Sequence, residues 1–209
     1  MHARPQEGDR QGRTKRATGE LSGSRWAERF HGSSSLRDLK GPFRDRAEAF
    51  VEALRASGAS VTISATYRPP QRAYLMHWCW MIVKRNVDPA TVPAMDGVDI
   101  NWTHDDARGN YSRQVSVNAA RAMVEKFNIQ SLGVAPALQS RHTLGYGIDM
   151  NIRWGGTLAV PDAYGNIVYI TTLPRSGVNL ELRRVGETYG VIKYNRAGRD
   201  DPHWSDNGA

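Results

Sequence analysis

The sequence has 209 residues, of which 40% are hydrophobic and 23% are charged, and its formal net charge is +7. A chain of this length buries roughly 70% of its unfolded surface on folding, so it is expected to form one domain. A single cysteine excludes an internal disulfide framework and a multi-cysteine zinc finger. No apolar run reaches the ~20 residues that a membrane span requires.

The basic residues are concentrated at the N-terminus. Residues 1–24 contain almost no apolar side chains, which predicts a disordered basic leader followed by a folded domain over residues 25–209. The leader is either solvated or an attachment arm for a polyanion, such as nucleic acid, a membrane or a cell wall. No helix-turn-helix, RNA-binding or zinc-finger pattern is present, so no nucleic-acid partner is expected. No secretory signal is visible, so synthesis in the cytoplasm is expected.

The first predicted elements are a helix, a strand and a second helix. Residues 47–54 carry apolar side chains at helical spacing, and Gly58 is placed to end that helix. Residues 61–66 are rich in β-branched side chains and predict a strand. Pro69 and Pro70 suit the first turn of a helix that is predicted to continue through Arg85.

The second half of the chain predicts neighbouring strands between helices. After a loop over residues 87–110, the predicted elements are a helix over Val115–Phe127, strands over 134–138 and 145–152, a hairpin over 157–170, a helix over Leu180–Tyr189 and a strand over 191–194. This order favours an α+β fold, a single domain with a mainly antiparallel sheet flanked by helices.

Three side chains are candidates for a catalytic metal site. His142 precedes a predicted strand, Asp149 lies within it, and His203 stands near the C-terminus. Imidazole and carboxylate are good zinc ligands, and a catalytic zinc takes three protein ligands and leaves a position for water. Asp200 and Asp201 directly precede His203, and one of them could act as general base. A His and an Asp at this spacing also occur by chance.

The other histidines and the cysteine are assigned no chemistry. His2 and His31 lie in polar sequence, and His77 lies on a helix with a broad apolar face. His104 is followed by two aspartates, where a solvated turn is favoured over a second metal site. Cys79 lies among bulky apolar residues and is predicted to be a core residue.

The segment SRHTLGYGID resembles the SxHxxGxAxD motif of the VanY-type D-Ala-D-Ala carboxypeptidase and L-Ala-D-Glu endopeptidase family. This family belongs to the LAS zinc metallopeptidases, shares its fold with hedgehog domains and includes many phage endolysins. The matching residues are Ser140, His142, Gly145 and Asp149, whereas Gly147 stands where the motif has Ala. The resemblance implies His142 and Asp149 as zinc ligands.

Two further segments resemble the same family. In DDPHW, Asp200 stands three positions before His203, as does the acidic residue of the family's second element. The resemblance implies His203 as the third zinc ligand and Asp200 as the catalytic base. SATYRPPQRAYLMHW resembles the family's Ser-x-Tyr-Arg segment, which implies that Arg68 binds or polarises the substrate. Gln71 lies closer to this segment than the family's usual Gln, and its role stays open.

The resemblance covers the chain from about Trp26 to the C-terminus and has three motifs in the right order. It implies a zinc-dependent peptidase that hydrolyses an amide bond in the peptidoglycan stem peptide, in the manner of a phage or prophage endolysin. Such a protein is expected to be a monomer that acts in the cell wall or periplasm after release. Ser140 and Tyr146 either orient the substrate or support the loop.

The alternative is a catalytically inactive zinc-containing module of the same fold that binds the cell wall. The acidic residue at Asp200 argues against this alternative, because such a module does not need a base. A nucleic-acid-binding protein that uses the basic leader is a third hypothesis. The bond that is cut could be L-Ala-D-Glu, D-Ala-D-Ala or a cross-link.

Overall fold

The computed structural model of the protein describes residues 19–194 and 201–209. Within these residues the strands are β1 (Glu20–Leu21), β2 (Ser60–Ala65), β3 (Ile100–Asn101), β4 (Gly147–Arg153), β5 (Leu158–Pro161), β6 (Ile167–Ile170), β7 (Ile192–Lys193) and β8 (His203–Ser205). The helices are α1 (Gly41–Ala56), α2 (Pro70–Lys84), α3 (Arg113–Lys126), α4 (Arg141–Leu144) and α5 (Leu180–Thr188).

The main sheet has four strands in the order β2-β4-β8-β7, and every neighbouring pair is antiparallel. Strands β5 and β6 form a separate antiparallel hairpin, and β1 pairs with β3 in parallel. Helices and strands occur in mixed order around this sheet. The predicted α+β fold, a single domain with a mainly antiparallel sheet and helices, is therefore confirmed.

The core consists of two clusters of buried side chains. One cluster packs α1 and α5 against one face of the main sheet, with Phe50, Ile148 and Trp204 among its members. The other packs α2 against α3, with Leu75 and Met123 among its members. Apolar residues at helical spacing on each helix account for this packing. The opposite face of β4 and β8 is thereby left for polar side chains.

Most predicted elements are present, but the strand predicted over residues 134–138 is wrong. This segment has no strand structure: Val134 is 71% exposed, whereas Pro136 is buried. Pro136 has no backbone N–H to donate to a neighbouring strand, which disfavours pairing. The segment instead contacts α2, where Nδ1 of His77 lies 2.8 Å from the carbonyl oxygen of Pro136.

The predicted leader falls partly outside the described residues, which begin at Gly19. Of its described residues, Glu20 and Leu21 form β1 and pair with β3. In the part of the chain that the structure describes, no helix combines the length and the apolar character needed to cross a membrane.

Candidate metal centre

Asp149 and His203 reach the same side of the sheet because side chains alternate along a strand. On β4, Ile148 and Met150 are buried in the core, so Asp149 between them points to the opposite face. On β8, Trp204 enters the core and the adjacent His203 points away from it. Antiparallel pairing places Asp149 directly opposite His203.

The third candidate ligand comes from α4, a single turn that directly precedes β4. Ser140 caps this turn: its Oγ accepts from the backbone N–H of Thr143, and Oγ1 of Thr143 accepts from the N–H of Ser140 at 2.9 Å. This reciprocal arrangement is a capping box. Gly145 ends the turn with φ 81°, a left-handed conformation that favours glycine. The turn directs His142 towards Asp149.

Three ligand atoms meet at one point. Nε2 of His142 lies 3.0 Å from Oδ1 of Asp149, and Nδ1 of His203 lies 2.9 Å from the same oxygen. The two imidazole nitrogens are 3.0 Å apart. The side chains of His142 and His203 are only 7% and 6% exposed, and that of Asp149 is 17% exposed. The structure thus brings together the three metal ligands predicted from the sequence.

The outer nitrogens of both imidazoles face backbone oxygens. Nδ1 of His142 lies 2.9 Å from the carbonyl oxygen of Thr66, and Nε2 of His203 lies 3.2 Å from the backbone oxygen of Ala209. Because these oxygens can only accept, each outer nitrogen carries the hydrogen and donates it. The inner nitrogen of a neutral ring then presents a lone pair. Metal-ligating histidines typically have this second contact, which fixes the ring and its tautomer.

Asp149 is an ionised carboxylate at neutral pH. Burial by itself raises the pKa of this group, but when the two imidazoles are protonated, their N–H groups and positive charge lower the pKa well below its usual value. With both rings neutral, two lone pairs and a carboxylate oxygen face one another and repel. A cation among them removes that repulsion.

The donor set fits a metal ion. Tetrahedral zinc with bonds of about 2.0–2.1 Å requires ligand atoms about 3.3 Å apart, close to the separations of the three atoms here. Two imidazoles and one carboxylate also suit other divalent transition metals, so the group is a metal site whose geometry does not identify zinc. Among the described residues, no other group of three such side chains is close enough to hold an ion.

A cleft of about 380 Å³ opens beside the metal centre and has His142 in its wall. Arg68 lines this cleft, and its backbone N–H donates to the carbonyl oxygen of His142 at 3.2 Å. Ser33, Ser34 and Arg72 also line the cleft, and none of the described residues in its wall is acidic. The cleft is therefore suited to a ligand that carries negative charge and accepts hydrogen bonds.

Arg72 is a cleft residue that the sequence analysis did not identify. Its guanidinium donates to the carbonyl oxygen of Ala27 at 3.2 Å and lies 4.9 Å from the ring centre of Phe127. Burial, and then the charge of Arg68, lower its pKa. Arg72 follows Arg68 by four residues at the start of a predicted helix. This spacing indicates that the two side chains lie near each other.

The other predicted site residues have different outcomes. Asp200, the predicted base, lies outside the described residues, whereas Asp201 lies in an exposed turn before β8. Ser140 supports α4 through its cap. The guanidinium of Arg141 stacks on Tyr146 and lies 5.2 Å from the centre of the Tyr146 ring. The contacts of Ser140 and Tyr146 with substrate stay predictions. Gln71 lies in the first turn of α2 and is not among the described residues that line the cleft.

Cys79 has the predicted core environment, whereas His104 is half-buried and hydrogen-bonded rather than part of a fully solvated turn. Cys79 is fully buried in the cluster between α2 and α3. Nε2 of His104 lies 2.9 Å from Oγ of Ser22, and its backbone N–H donates to Oγ of Ser116 at 2.9 Å. Both residues therefore have packing and hydrogen-bonding roles.

Comparison with known proteins adds no family assignment, because no protein-family model matches the chain and no curated protein is detectably similar to it.

Proposed function

We propose that this protein is a zinc-dependent peptidase that hydrolyses an amide bond in the stem peptide of bacterial peptidoglycan. The observation that carries the proposal is the convergence of His142, Asp149 and His203, with both imidazoles held by outer hydrogen bonds and a cleft that has His142 in its wall. Three protein ligands with an open side are typical of catalytic rather than structural zinc sites.

The residues of the three motifs have complementary roles in this proposal. Zinc, when bound, supplies Lewis-acid chemistry that acidifies water and polarises a carbonyl oxygen. Asp200 accepts a proton as water attacks the amide carbon, and passes the proton to the departing amine. Arg68 binds the substrate and stabilises negative charge that develops on the carbonyl oxygen. His142 and His203 hold the metal ion, each oriented by a backbone oxygen.

Charge supports a cell-wall substrate. The net charge of +7 favours encounter with an anionic envelope, and the cleft beside the metal centre carries Arg68 and Arg72. A stem peptide that contains Glu has a free carboxylate to place near these groups. Together with the resemblance to endolysin motifs, this supports a phage or prophage endolysin that reaches the wall after its release.

The test is digestion of purified peptidoglycan, with peptide fragments identified by mass spectrometry. We expect new peptide termini that disappear with a chelator and return when zinc is added. The masses of the fragments identify the bond that is cut. His203→Ala is expected to release no fragments, whereas the matched histidine variant His77→Ala, outside the metal centre, is expected to behave like the wild type.

An unchanged peptidoglycan profile from folded, zinc-loaded protein would contradict the peptidase proposal. In that case, sedimentation of the protein with intact peptidoglycan separates the remaining hypotheses. Binding without cleavage would indicate the inactive cell-wall-binding module of the same fold.

A further inference from the structure

The three ligands of the metal centre are not held in the same way. Asp149 and His203 are opposite each other on paired strands, so the backbone hydrogen bonds of the sheet fix their separation. His142 lies outside the sheet on α4, which has only four residues. A single helical turn is unstable on its own, so its position depends on contacts with the rest of the domain.

One side-chain ion pair joins α4 to the end of β8. Nη2 of Arg141, the residue before His142, donates to Oδ2 of Asp206, which follows β8 by one residue. The two side chains are 22% and 28% exposed, so the pair is largely shielded from water. The guanidinium also stacks on Tyr146, which restricts its orientation.

Backbone contacts place the same two segments next to each other. The N–H of Asp206 donates to the carbonyl oxygen of Tyr146 at 3.3 Å, and the N–H of Tyr146 donates to the carbonyl oxygen of Arg141 at 2.8 Å. The ion pair is therefore part of a short connection that links the segment of His142 to the segment of His203. A change in this connection displaces one imidazole relative to the other.

We infer that Arg141 and Asp206 are positioning residues that set the affinity of the metal centre by fixing the distance between His142 and His203. The inference depends on the metal centre of the proposed function but not on peptidase activity. Neither residue needs to contact the metal ion or the substrate. Loss of a contact that orients a metal ligand without touching the metal typically weakens metal binding about 10–100-fold.

A purely electrostatic role makes the opposite prediction for Arg141. If this guanidinium acted only through its charge, its removal would strengthen the binding of a divalent cation, because a nearby positive charge would disappear. If it positions α4, its removal weakens binding. Asp206→Asn weakens binding under both hypotheses, so the sign of the Arg141 effect is decisive.

The test measures zinc affinity by competition with a chromogenic chelator for the wild type, Arg141→Gln, Asp206→Asn and the double variant. We expect each single variant to bind zinc about 10–100-fold more weakly, and the double variant to be no weaker than the worse single variant. Lys126→Gln is the matched control, because it removes a positive charge from an exposed pair with Glu28 and should leave the affinity unchanged.

Three further measurements distinguish a positioning effect from a general loss of structure. The charge-exchanged variant Arg141→Asp/Asp206→Arg is expected to recover part of the affinity, which a folding defect would not. The visible absorption of the Co²⁺-loaded single variants is expected to differ from that of the wild type, because the ligand geometry changes. Circular dichroism establishes that each variant is folded.

The outcomes separate the inference from the proposed function. Unchanged or increased zinc affinity in folded Arg141→Gln would overturn the positioning role and leave the peptidase proposal intact. A folded wild-type protein that binds no zinc would overturn both. Weakened binding together with recovery in the exchanged variant would support the inference even if no peptidoglycan is cut.

Discussion

Asp149 and His203 lie directly opposite each other on antiparallel strands, and Oδ1 of Asp149 is 2.9 Å from Nδ1 of His203. The alternation that directs Ile148 and Trp204 into the core directs both ligands to the other face. A shift of one residue in the pairing of these strands would exchange the two faces. The packing of the core therefore also fixes two of the three metal ligands.

Gly147 is tightly enclosed by the metal centre. A methyl group at this position would lie 3.0 Å from the backbone nitrogen of His142 and 3.0 Å from Cε1 of His203. Both neighbours would have to move by a few tenths of an ångström, so we expect Gly147→Ala to weaken zinc binding several-fold. This result would set the chain apart from the family motif, which has Ala at this position.

The matched control is Gly155→Ala, because a methyl group at Gly155 would meet no atom within 4 Å. Zinc affinity is measured for both variants under identical conditions. Equal affinities for the Gly147→Ala variant and the wild type would show that the segment relaxes without displacing a ligand.

The assignment of the base to Asp200 rather than Asp201 can be tested by exchanging each for alanine. We expect Asp200→Ala to retain one zinc ion and to lose at least about 100-fold in turnover, the contribution typical of general acid–base catalysis. Asp201→Ala is expected to keep most of the activity, because Asp201 lies in an exposed turn. If Asp201→Ala were inactive and Asp200→Ala were active, the base would be Asp201.

Cys79 is expected to be unreactive in the folded protein. Burial raises the pKa of its thiol far above the usual range, and the thiolate is the reactive form. Ellman's reagent at pH 8 should therefore report no free thiol until denaturant is added, and one thiol afterwards. Rapid labelling of the native protein would contradict the position of Cys79 between α2 and α3.

Phe50 connects the helical layer to the strand that carries His203. Its ring is fully buried and lies 5.5 Å from the rings of Trp204 and Tyr189. Phe50→Ala is expected to lower the free energy of unfolding by about 3–5 kcal/mol, because it leaves a cavity. Tyr169→Ala is the control: Tyr169 is 67% exposed, so we expect a change within about 0.5 kcal/mol. Urea unfolding measures both, and equal effects would contradict the described core.

Local sequence signals predicted the elements that depend on local patterns. Pro69 and Pro70 marked the start of α2, and the β-branched run marked β2, because these signals act within a few residues. The prediction of a strand over residues 134–138 is wrong because it depends on the apolar side chains Val134 and Leu138, and both are exposed. A strand also requires a partner, which a local pattern does not reveal.

The residues of the metal centre that belong to a sequence motif could be predicted. His142, Asp149 and His203 were identified from their residue types and from the resemblance, and the structure brings them together. The pairing of Arg141 with Asp206 was not predicted, because these residues are 65 positions apart and belong to no motif. Contacts of this kind depend on which strands become neighbours.

Titration of the metal-free protein with zinc at neutral pH tests whether His142, Asp149 and His203 form a metal site. We predict that the wild type binds one zinc ion per chain. His142→Ala and His203→Ala are each expected to weaken binding at least about 100-fold, more than the loss of a residue that only orients a ligand usually does. The control variant His77→Ala should bind like the wild type. Zinc binding that is unchanged in folded His142→Ala and His203→Ala would contradict this assignment of ligands, because the metal would then be held by other residues.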